Sequence, residues 1–326
     1  MRKQARYYIK LENDKIRCNL CPHRCKIPEG KRGICYSRFV EDGSLFTDNY
    51  GEIIALNIDP IEKKPLYHFH PGKDILSTGP NGCNFSCKFC QNWQISRQKS
   101  KTKYLPPEEL VKLSLDTLGI AYTYTEPTIW FEYMLDVAKM AKDKGQKNVM
   151  ITNGFIQPEP FDELLDYIDA INIDLKSFDE DFYRKFCGGR RKPVLESIRQ
   201  ANEKAHVEIT NLVITDLNDS RDNFIKMIDF IADVDDNIPF HISRYYPAYE
   251  LKNEATAVET IREFVDLARE RLNYVYAGNV QIDIGNDTKC PNCGNLLIKR
   301  TGYSTTAPGI KDGKCNECER EFDGKI

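Results

Sequence analysis

The sequence predicts an α/β fold built on a parallel sheet. From about residue 71 to residue 285, short apolar segments alternate with amphipathic segments of helical length, and strands that alternate with helices are typical of a parallel sheet. Six or seven such units would form either an open doubly wound sheet or a barrel, and the pattern alone does not decide between them. The 326 residues, of which 41% are hydrophobic, suffice for one large domain or for two to three smaller ones.

Periodicity and turn signals place the elements of this core. The first strand, 74–78, leads into a loop rich in glycine and asparagine, and Pro107 with two acidic residues begins the first helix, 107–118. Further strands are predicted at 119–125, 148–152, 170–176, 206–214, 239–243 and 275–284. Further helices are predicted at 128–144, 161–168, 179–186, 193–204, 221–232 and 255–272.

The composition argues against several classes of protein. The net charge of −3, from 46 basic and 49 acidic side chains, gives no positive surface for a nucleic acid or an acidic membrane. No apolar run approaches the length of a membrane span, and the N-terminus lacks the apolar core of a signal peptide. We therefore expect a cytoplasmic protein that binds neither nucleic acid nor a membrane.

Twelve cysteines are many for a cytoplasmic chain, where disulfides are disfavoured and metal binding is the better explanation. Eleven of them form three groups: Cys18, Cys21, Cys25 and Cys35; Cys83, Cys87 and Cys90; and Cys290, Cys293, Cys315 and Cys318. The groups divide the chain into a cysteine-rich N-terminal segment, 1–70, an α/β core, 71–285, and a short C-terminal module, 286–326. The remaining cysteine, Cys187, is either a small buried hydrophobe or a thiol that lies on the substrate side of the site or relays a radical.

The middle cysteine group carries the most specific signal in the chain. Its spacing is C-x3-C-x2-C, and glycine, proline and asparagine in and before it indicate a loop rather than a helix. A 4Fe-4S cluster normally takes four thiolates. Three thiolates would leave one iron open, and an open metal position is where a ligand binds and reacts, as it is in catalytic zinc sites.

Polar residues mark the end of the strand predicted at 170–176. Asn172, Asp174 and Lys176 share one face, because strand side chains alternate, although a strand buried on both faces should be apolar throughout. Active sites of parallel α/β folds lie at these carboxyl ends. The three residues therefore indicate a ligand-filled space, and the alternative is a local network of ion pairs.

These motifs resemble those of the radical S-adenosylmethionine (SAM) superfamily, and within it the pyruvate formate-lyase activating enzymes. The cysteine motif with Phe89 before Cys90 is similar to the superfamily signature. The resemblance implies that the open iron binds the amine and carboxylate of SAM and reduces it to a 5′-deoxyadenosyl radical.

Several other positions match the activating enzymes. Thr152-Asn153-Gly154 resembles their TNG motif and Asp174-Leu175-Lys176 their DLK motif, whose Asp and Lys handle the methionine end of SAM. His241 corresponds to a SAM-contacting histidine, although a histidine satisfied within the strand is an equal alternative. Ile151 replaces an Asp that helps to hold a monovalent cation, so that cation site is not expected with the same ligands. Glu126 stands where these enzymes have Gly-Gly-Glu and is expected to receive the SAM amine without the two glycines.

Nearly the whole chain resembles the radical SAM protein of the AmmeMemoRadiSam system. The matching segments include 18–35, 59–68, 82–92, 122–128, Cys187-Gly188 and the C-terminal cysteine pairs. The resemblance to activating enzymes implies a partial (βα)6 TIM-like barrel with small cysteine-rich metal-binding extensions at both ends. The implied partners are a low-potential electron donor (flavodoxin or ferredoxin), a protein substrate, and Memo-like and AMMECR-like proteins.

The flanking groups differ in how clearly they predict a metal. The C-terminal cysteines have the spacing of a zinc ribbon or rubredoxin knuckle, and both zinc and iron suit four thiolates; we favour zinc. The N-terminal cysteines are compatible with a structural zinc or with a second iron–sulfur cluster that relays electrons.

The first hypothesis for function is therefore a radical SAM enzyme that abstracts hydrogen from a substrate, with a protein glycine as one candidate. The alternatives are a non-catalytic iron–sulfur or zinc scaffold, an electron-transfer partner, and a zinc-dependent nucleic-acid binder, which the charge balance disfavours.

Overall fold

In the computed structural model, which describes residues 1–12, 15–280 and 286–326, the N-terminal region consists of short strands. They are β1 (Lys3–Gln4), β2 (Tyr8–Lys10), β3 (Lys15–Cys18), β4 (Lys26–Pro28), β5 (Arg38–Glu41), β6 (Ser44–Thr47) and β7 (Glu52–Ile53). Strands β1, β6 and β5 form one antiparallel sheet, and β2, β3 and β4 form another. Cys18 ends β3 opposite Tyr8, so strand pairing fixes the first thiol of the N-terminal group.

An eight-stranded sheet forms the centre of the molecule. This part of the chain contains β8 (Ala55–Pro60), β9 (Asp74–Gly79), β10 (Lys103–Tyr104), β11 (Gly119–Tyr122), β12 (Lys147–Thr152), β13 (Ala170–Asp174), β14 (His206–Val213), β15 (Phe240–Arg244) and β16 (Val275–Gly278). The order across the sheet is β16-β15-β14-β13-β12-β11-β9-β8, whereas β10 pairs with β7 outside it. All neighbours from β9 to β16 are parallel. The predicted parallel sheet is confirmed, and β8, from within the predicted N-terminal segment, adds one antiparallel edge strand.

The parallel strands add to the sheet in chain order, which is the order that a barrel or a partial barrel requires. Strands β8 and β16 lie at opposite edges and each pairs on one side only, so the sheet is open among the described residues. Closure into the partial (βα)6 barrel that the resemblance implies stays a prediction.

Helices connect the parallel strands. They are α1 (Trp93–Ser96), α2 (Pro107–Ser114), α3 (Phe131–Asp143), α4 (Pro158–Leu165), α5 (Glu180–Phe182), α6 (Arg191–Asn202), α7 (Arg221–Val234) and α8 (Val258–Arg269). Short 3-10 helices span Ile61–Lys63 and Pro127–Trp130, and a π-helical turn spans Tyr183–Cys187. The longer helices bury an apolar stripe at helical spacing; α3, for example, buries Met134, Val137, Ala138 and Ala141.

The boundaries differ from the predicted ones where local chemistry was misread. Helix α4 begins three residues before the predicted 161–168, because Pro158 occupies its first position, where the fixed φ of proline suits a helix start. The strand predicted at 119–125 ends at Tyr122, and Tyr124 adopts a left-handed φ of 70° that breaks the extended chain. The strand predicted at 275–284 is present as β16, and positions 281–284 of that prediction lie outside the described residues.

The C-terminal module is a small β structure that packs against the amino ends of the central strands. It contains β17 (Thr288–Lys289), β18 (Leu296–Thr301), β19 (Ser304–Thr306), β20 (Ile310–Lys311) and β21 (Lys314–Cys315). Its last residues are tied to His68, because the Lys325 N–H donates to the His68 carbonyl and the His68 ring nitrogen Nδ1 lies 2.9 Å from the Asp323 carbonyl oxygen. Among the helices that the structure describes, none has both the length and the apolar composition needed to cross a membrane.

Candidate active site

The loop that carries Cys83, Cys87 and Cys90 follows β9 at the carboxyl end of the central sheet. Residues about a hundred positions later in the sequence hold its backbone: the Ser86 N–H donates to the Cys187 carbonyl at 2.8 Å, and the Lys88 N–H donates to the Phe186 carbonyl at 2.9 Å. Both acceptors belong to the π-helical turn, a rare local structure that is often found at functional sites. The turn therefore sets where the three thiols lie.

Two glycines allow this close approach of the turn to the loop. A Cβ atom on Gly189 would lie 2.2 Å from a ring carbon of Phe85, and one on Gly188 would lie 2.3 Å from Ser86 Oγ. Gly188 also has a φ of 71°, which favours glycine. Phe85 and Ser86 lie between the first two cysteines of the loop, so the Gly188-Gly189 pair packs directly on the predicted cluster site.

Hydrogen-bond donors lie beside the sulfur atoms of the loop. The Phe85 N–H donates to Cys83 Sγ at 3.3 Å, Asn153 Nδ2 lies 3.7 Å from the same sulfur, and Ser96 Oγ lies 3.2 Å from Cys90 Sγ. Thiolates that bind iron are stabilised by such donors, which also tune the reduction potential of the cluster. The donor set therefore fits a 4Fe-4S cluster held by three thiolates.

Cys187 is a fourth thiol at this site, and its position was not predicted. It is fully buried, and its thiol lies beside that of Cys87. Burial and the adjacent sulfur both raise the pKa of the Cys187 thiol. Of the two interpretations of Cys187, the structure supports burial and adds a contact with a predicted cluster ligand. The Gly-Gly pair after it was the available signal, because glycines permit the close approach of two backbones.

Asp174 and Lys176 lie together at the end of β13, next to the thiols. Their side chains form an ion pair of 2.9 Å, and they are 38% and 15% exposed, so both can be reached from outside. Burial disfavours the charge on Lys176, but Asp174 and the neighbouring sulfur atoms outweigh it and raise the pKa of the ammonium. A cation therefore stands beside Cys87, within reach of a ligand carboxylate. The predicted contact of these two residues with SAM stays a prediction.

Glu126, Thr152 and Asn153 also meet, but they bind one another. The buried Glu126 carboxylate accepts from the Thr128 N–H at 3.0 Å, from Thr152 Oγ1 at 2.8 Å and from the Asn153 N–H at 2.9 Å. The first of these bonds caps the 3-10 helix Pro127–Trp130. Burial raises the pKa of Glu126, and the three donors oppose this shift. Glu126 thus has a structural role, and its predicted contact with the SAM amine would be a further bond.

His241 belongs to a buried polar network inside the sheet. Its Nε2 lies 2.6 Å from Glu208, which lies 3.0 Å from the His206 ring and accepts from the His68 N–H at 2.7 Å. Burial disfavours the ionised Glu208, but the two histidine rings outweigh it and lower the pKa of the carboxyl group. A contact of His241 with SAM would therefore have to use Nδ1. Glu208 was missed, although polar residues alternate along β14 as they do along β13.

The four C-terminal cysteines form a compact group. The sulfur atoms of Cys290 and Cys318 are 3.6 Å apart, those of Cys293 and Cys315 are 3.7 Å apart, and all four lie within 4.8 Å of one another. A zinc–sulfur bond of about 2.3 Å in a tetrahedral site places neighbouring sulfurs about 3.8 Å apart. The predicted C-terminal four-cysteine site is therefore present with the geometry of a single metal ion. The N-terminal cysteines, in contrast, lie at the carboxyl end of the sheet around a cavity beside the cluster loop.

Sequence comparison agrees with this geometry: residues 78–231, which contain the cysteine loop and the ends of β11 to β13, match the model of the Radical SAM superfamily. Residues 78–231 are a radical SAM domain. The whole chain is 41% identical to the uncharacterized protein MJ0808 of Methanocaldococcus jannaschii, over 98% of this chain and 99% of that protein.

Activating enzymes are more distant relatives. The pyruvate formate-lyase-activating enzyme of Clostridium pasteurianum is 27% identical over 47% of this chain and 67% of its own length. The 4-hydroxyphenylacetate decarboxylase activating enzyme of Clostridium scatologenes is 23% identical over 52% of this chain and 57% of its own length. The chain is thus homologous to activating enzymes through about half of its length.

Solved structures agree with the fold alone. The crystal structure of a radical SAM methyltransferase from Sphaerobacter thermophilus matches 67% of this chain and 70% of its own, with a TM-score of 0.50 and 16% sequence identity. Streptococcus suis SuiB bound to S-adenosylmethionine matches 61% of this chain and 48% of its own, also with a TM-score of 0.50 and 16% identity.

Proposed function

We propose that this radical SAM enzyme cleaves SAM reductively at a 4Fe-4S cluster held by Cys83, Cys87 and Cys90 and abstracts hydrogen from a substrate. The observation that carries the proposal is that these three thiols and a partly exposed Asp174–Lys176 pair meet at the carboxyl end of the sheet. A scaffold or an electron relay needs the thiols, but it has no use for a partly exposed charged pair beside them.

The residues of this chain would divide the work of binding. When bound, the cluster and SAM supply one-electron cleavage of SAM to methionine and a 5′-deoxyadenosyl radical. Lys176 would bind the SAM carboxylate as a compact cation, and Asp174 would orient Lys176 through their ion pair. Glu126, Thr152, Asn153 and His241 stay predicted SAM contacts, on a partial (βα)6 barrel that would surround them.

The homology to activating enzymes makes a glycine of a protein the candidate hydrogen donor. The electron donor would then be a flavodoxin or a ferredoxin, as the resemblance implies. The assignment to the AmmeMemoRadiSam system, with Memo-like and AMMECR-like partners, stays a prediction. A lysate from cells grown on α-deuterated glycine tests the substrate class, because a glycine target would transfer deuterium into 5′-deoxyadenosine and any other target would not.

The C-terminal site would hold zinc and serve the fold. Four thiolates close the metal's coordination sphere, which suits a structural site. The module packs at the amino ends of the strands, whereas the cysteine loop lies at their carboxyl ends, so the zinc would take no part in the chemistry.

The Lys176→Met variant tests the SAM site. Methionine keeps the length of the side chain but removes the cation, so SAM affinity measured by calorimetry on reconstituted protein should fall at least tenfold, or about 1.4 kcal/mol. Lys185→Met, which removes an exposed ammonium of the neighbouring turn, is the matched control and should leave affinity unchanged. Equal affinity for the wild type and Lys176→Met would remove Lys176 from the site.

A further inference from the structure

The four N-terminal cysteines surround a single cavity next to the cluster loop. The residues that line it include Cys18, Cys21, Cys25 and Cys35 on one side and Asn84 and Thr128 on the other. Asn84 follows the first cysteine of the loop, and the Thr128 N–H donates to Glu126. The N-terminal group therefore lies at the carboxyl end of the sheet, as the candidate active site does, whereas the C-terminal four-cysteine site lies at the amino end.

The spacing of the thiols separates the two terminal groups. Among the described residues, the C-terminal cysteines are the group whose ligand atoms all lie within 4.8 Å of one another; no three of the N-terminal thiols come that close together. The three cysteines of the cluster loop do not meet this limit either. A single zinc ion needs sulfurs about 3.8 Å apart, whereas a four-iron cluster spreads its thiolates over four metal atoms. The N-terminal thiols are therefore spaced more widely than those of the C-terminal site, as the thiols of the cluster loop are.

The surroundings of these thiols suit an anionic cluster. Backbone N–H groups lie near three of the sulfurs: that of His23 near Cys21, that of Ile34 near Cys25, and those of Ser37 and Arg38 near Cys35.

Arg38 also lines the cavity, and its guanidinium pairs with the buried Glu132 carboxylate. That side chain is 1% exposed, and its Nη1 lies 3.6 Å from Cys18 Sγ. Its Nε is a buried donor without a partner among the described residues. Bridging sulfides of a cluster accept hydrogen bonds, so a cluster in the cavity would offer this donor acceptor atoms that a single metal ion lacks.

We propose that Cys18, Cys21, Cys25 and Cys35 bind a second 4Fe-4S cluster. Four thiolates leave no open iron, so this cluster would transfer electrons rather than bind a substrate. It would take one electron from the low-potential donor and pass it to the cluster at Cys83, with no bond made or broken. The path is short, because His23 Nε2 lies 2.8 Å from the Asn84 carbonyl oxygen and Asn84 Oδ1 lies 3.9 Å from Cys83 Sγ. The relay, but not the cluster itself, rests on the proposed function.

Metal analysis of a variant without the active-site cluster tests the second cluster. The triple variant Cys83→Ala/Cys87→Ala/Cys90→Ala keeps the N-terminal group intact. After anaerobic reconstitution it should retain about four iron atoms and about four sulfides per chain, against about eight of each in the wild type. On reduction with dithionite it should give the electron paramagnetic resonance signal of a reduced cluster. An iron-free triple variant with about two zinc ions per chain would overturn the proposal.

Two further variants distinguish the end groups and the relay. Cys290→Ser/Cys293→Ser should lower zinc to near zero and leave iron unchanged, because it alters the opposite end of the molecule. Cys18→Ser/Cys35→Ser should lose about half of the iron. If the cluster relays electrons, this variant should lose SAM cleavage driven by reduced flavodoxin and keep cleavage driven by dithionite. Flavodoxin-driven cleavage that persists after the loss of this iron would contradict the relay. Because the iron count needs no SAM chemistry, failure of the proposed function would leave the test of the cluster intact.

Discussion

Replacement of Gly189 by alanine tests how the cluster loop is held. The new Cβ would lie 2.2, 2.7 and 2.9 Å from three atoms of the buried Phe85 ring, and no real Cβ approaches a neighbour so closely. The ring packs against Phe155, with centroids 4.9 Å apart, so it cannot simply rotate away. Overpacking of a core costs about 1–3 kcal/mol. We expect Gly189→Ala to lower the free energy of unfolding by about 3 kcal/mol, the upper end of that range, since three atoms clash.

The assay combines urea unfolding of anaerobically purified protein with iron analysis after reconstitution. Because Phe85 lies within the cysteine loop, Gly189→Ala should also bind less iron than the wild type. The matched control is the double variant Gly189→Ala/Phe85→Leu, in which the smaller side chain relieves the clash. It should be more stable than the sum of the single variants by about 1–3 kcal/mol. Additive effects of the two substitutions, or wild-type stability of Gly189→Ala, would refute this account of the loop.

The remaining predictions concern the buried carboxylate, a buried histidine and the terminal metal. Glu126→Gln should destabilise the protein by about 2 kcal/mol, because a buried donor loses its acceptor. It should also weaken SAM binding at least tenfold by calorimetry, with the exposed Glu109→Gln as the control. Unchanged SAM affinity of Glu126→Gln would remove Glu126 from the SAM site. Burial lowers the pKa of His68 from 6.5 to about 3, so below pH 6.5 the unfolded chain binds a proton that the folded protein does not. Between pH 6.5 and 5 the wild type should therefore lose about 2 kcal/mol more stability than His68→Gln. An equal loss of stability in both proteins, measured by urea unfolding over that range, would contradict this. Plasma mass spectrometry should find about one zinc per chain in the C-terminal site, and chelation should open residues 286–326 to proteolysis before the central sheet; a zinc-free and iron-free module would argue against a metal there.

Much of the fold could be predicted because its signals are local. The alternation of apolar strands and amphipathic helices predicted the parallel sheet, and cysteine spacing predicted the C-terminal four-cysteine site. Spacing alone also identified the loop at Cys83, since three thiolates for a four-iron cluster are a specific combination. Each of these inferences depends on residues that are near one another in the chain.

Long-range contacts could not be predicted in the same way. Cys187 meets Cys87 across about a hundred residues, and nothing in the local sequence of either one states the pairing. Glu208 contacts His68 and His241, and the three residues come from distant segments of the chain. The burial of Glu208 depends on the whole sheet. Curvature of the sheet likewise depends on the summed twist of all its strands, which no single motif encodes.

The boundaries that were misread have a local cause. Prolines at the start of α4 support a helix that the apolar pattern placed later in the chain, because the pattern marks buried residues and not the first turn. The cap that Glu126 provides to the 3-10 helix was missed for a related reason: a carboxylate expected to bind a ligand was not considered as a helix cap.

Radical SAM chemistry at the Cys83 loop would form 5′-deoxyadenosine, which can be quantified directly. Anaerobically purified protein, reconstituted with iron and sulfide, is incubated with dithionite and SAM, and the product is quantified beside a Cys87→Ala control. We predict product from the wild type and none from the control. A wild type that holds a reducible cluster and binds SAM but forms no 5′-deoxyadenosine would contradict the assignment of radical SAM chemistry to this site.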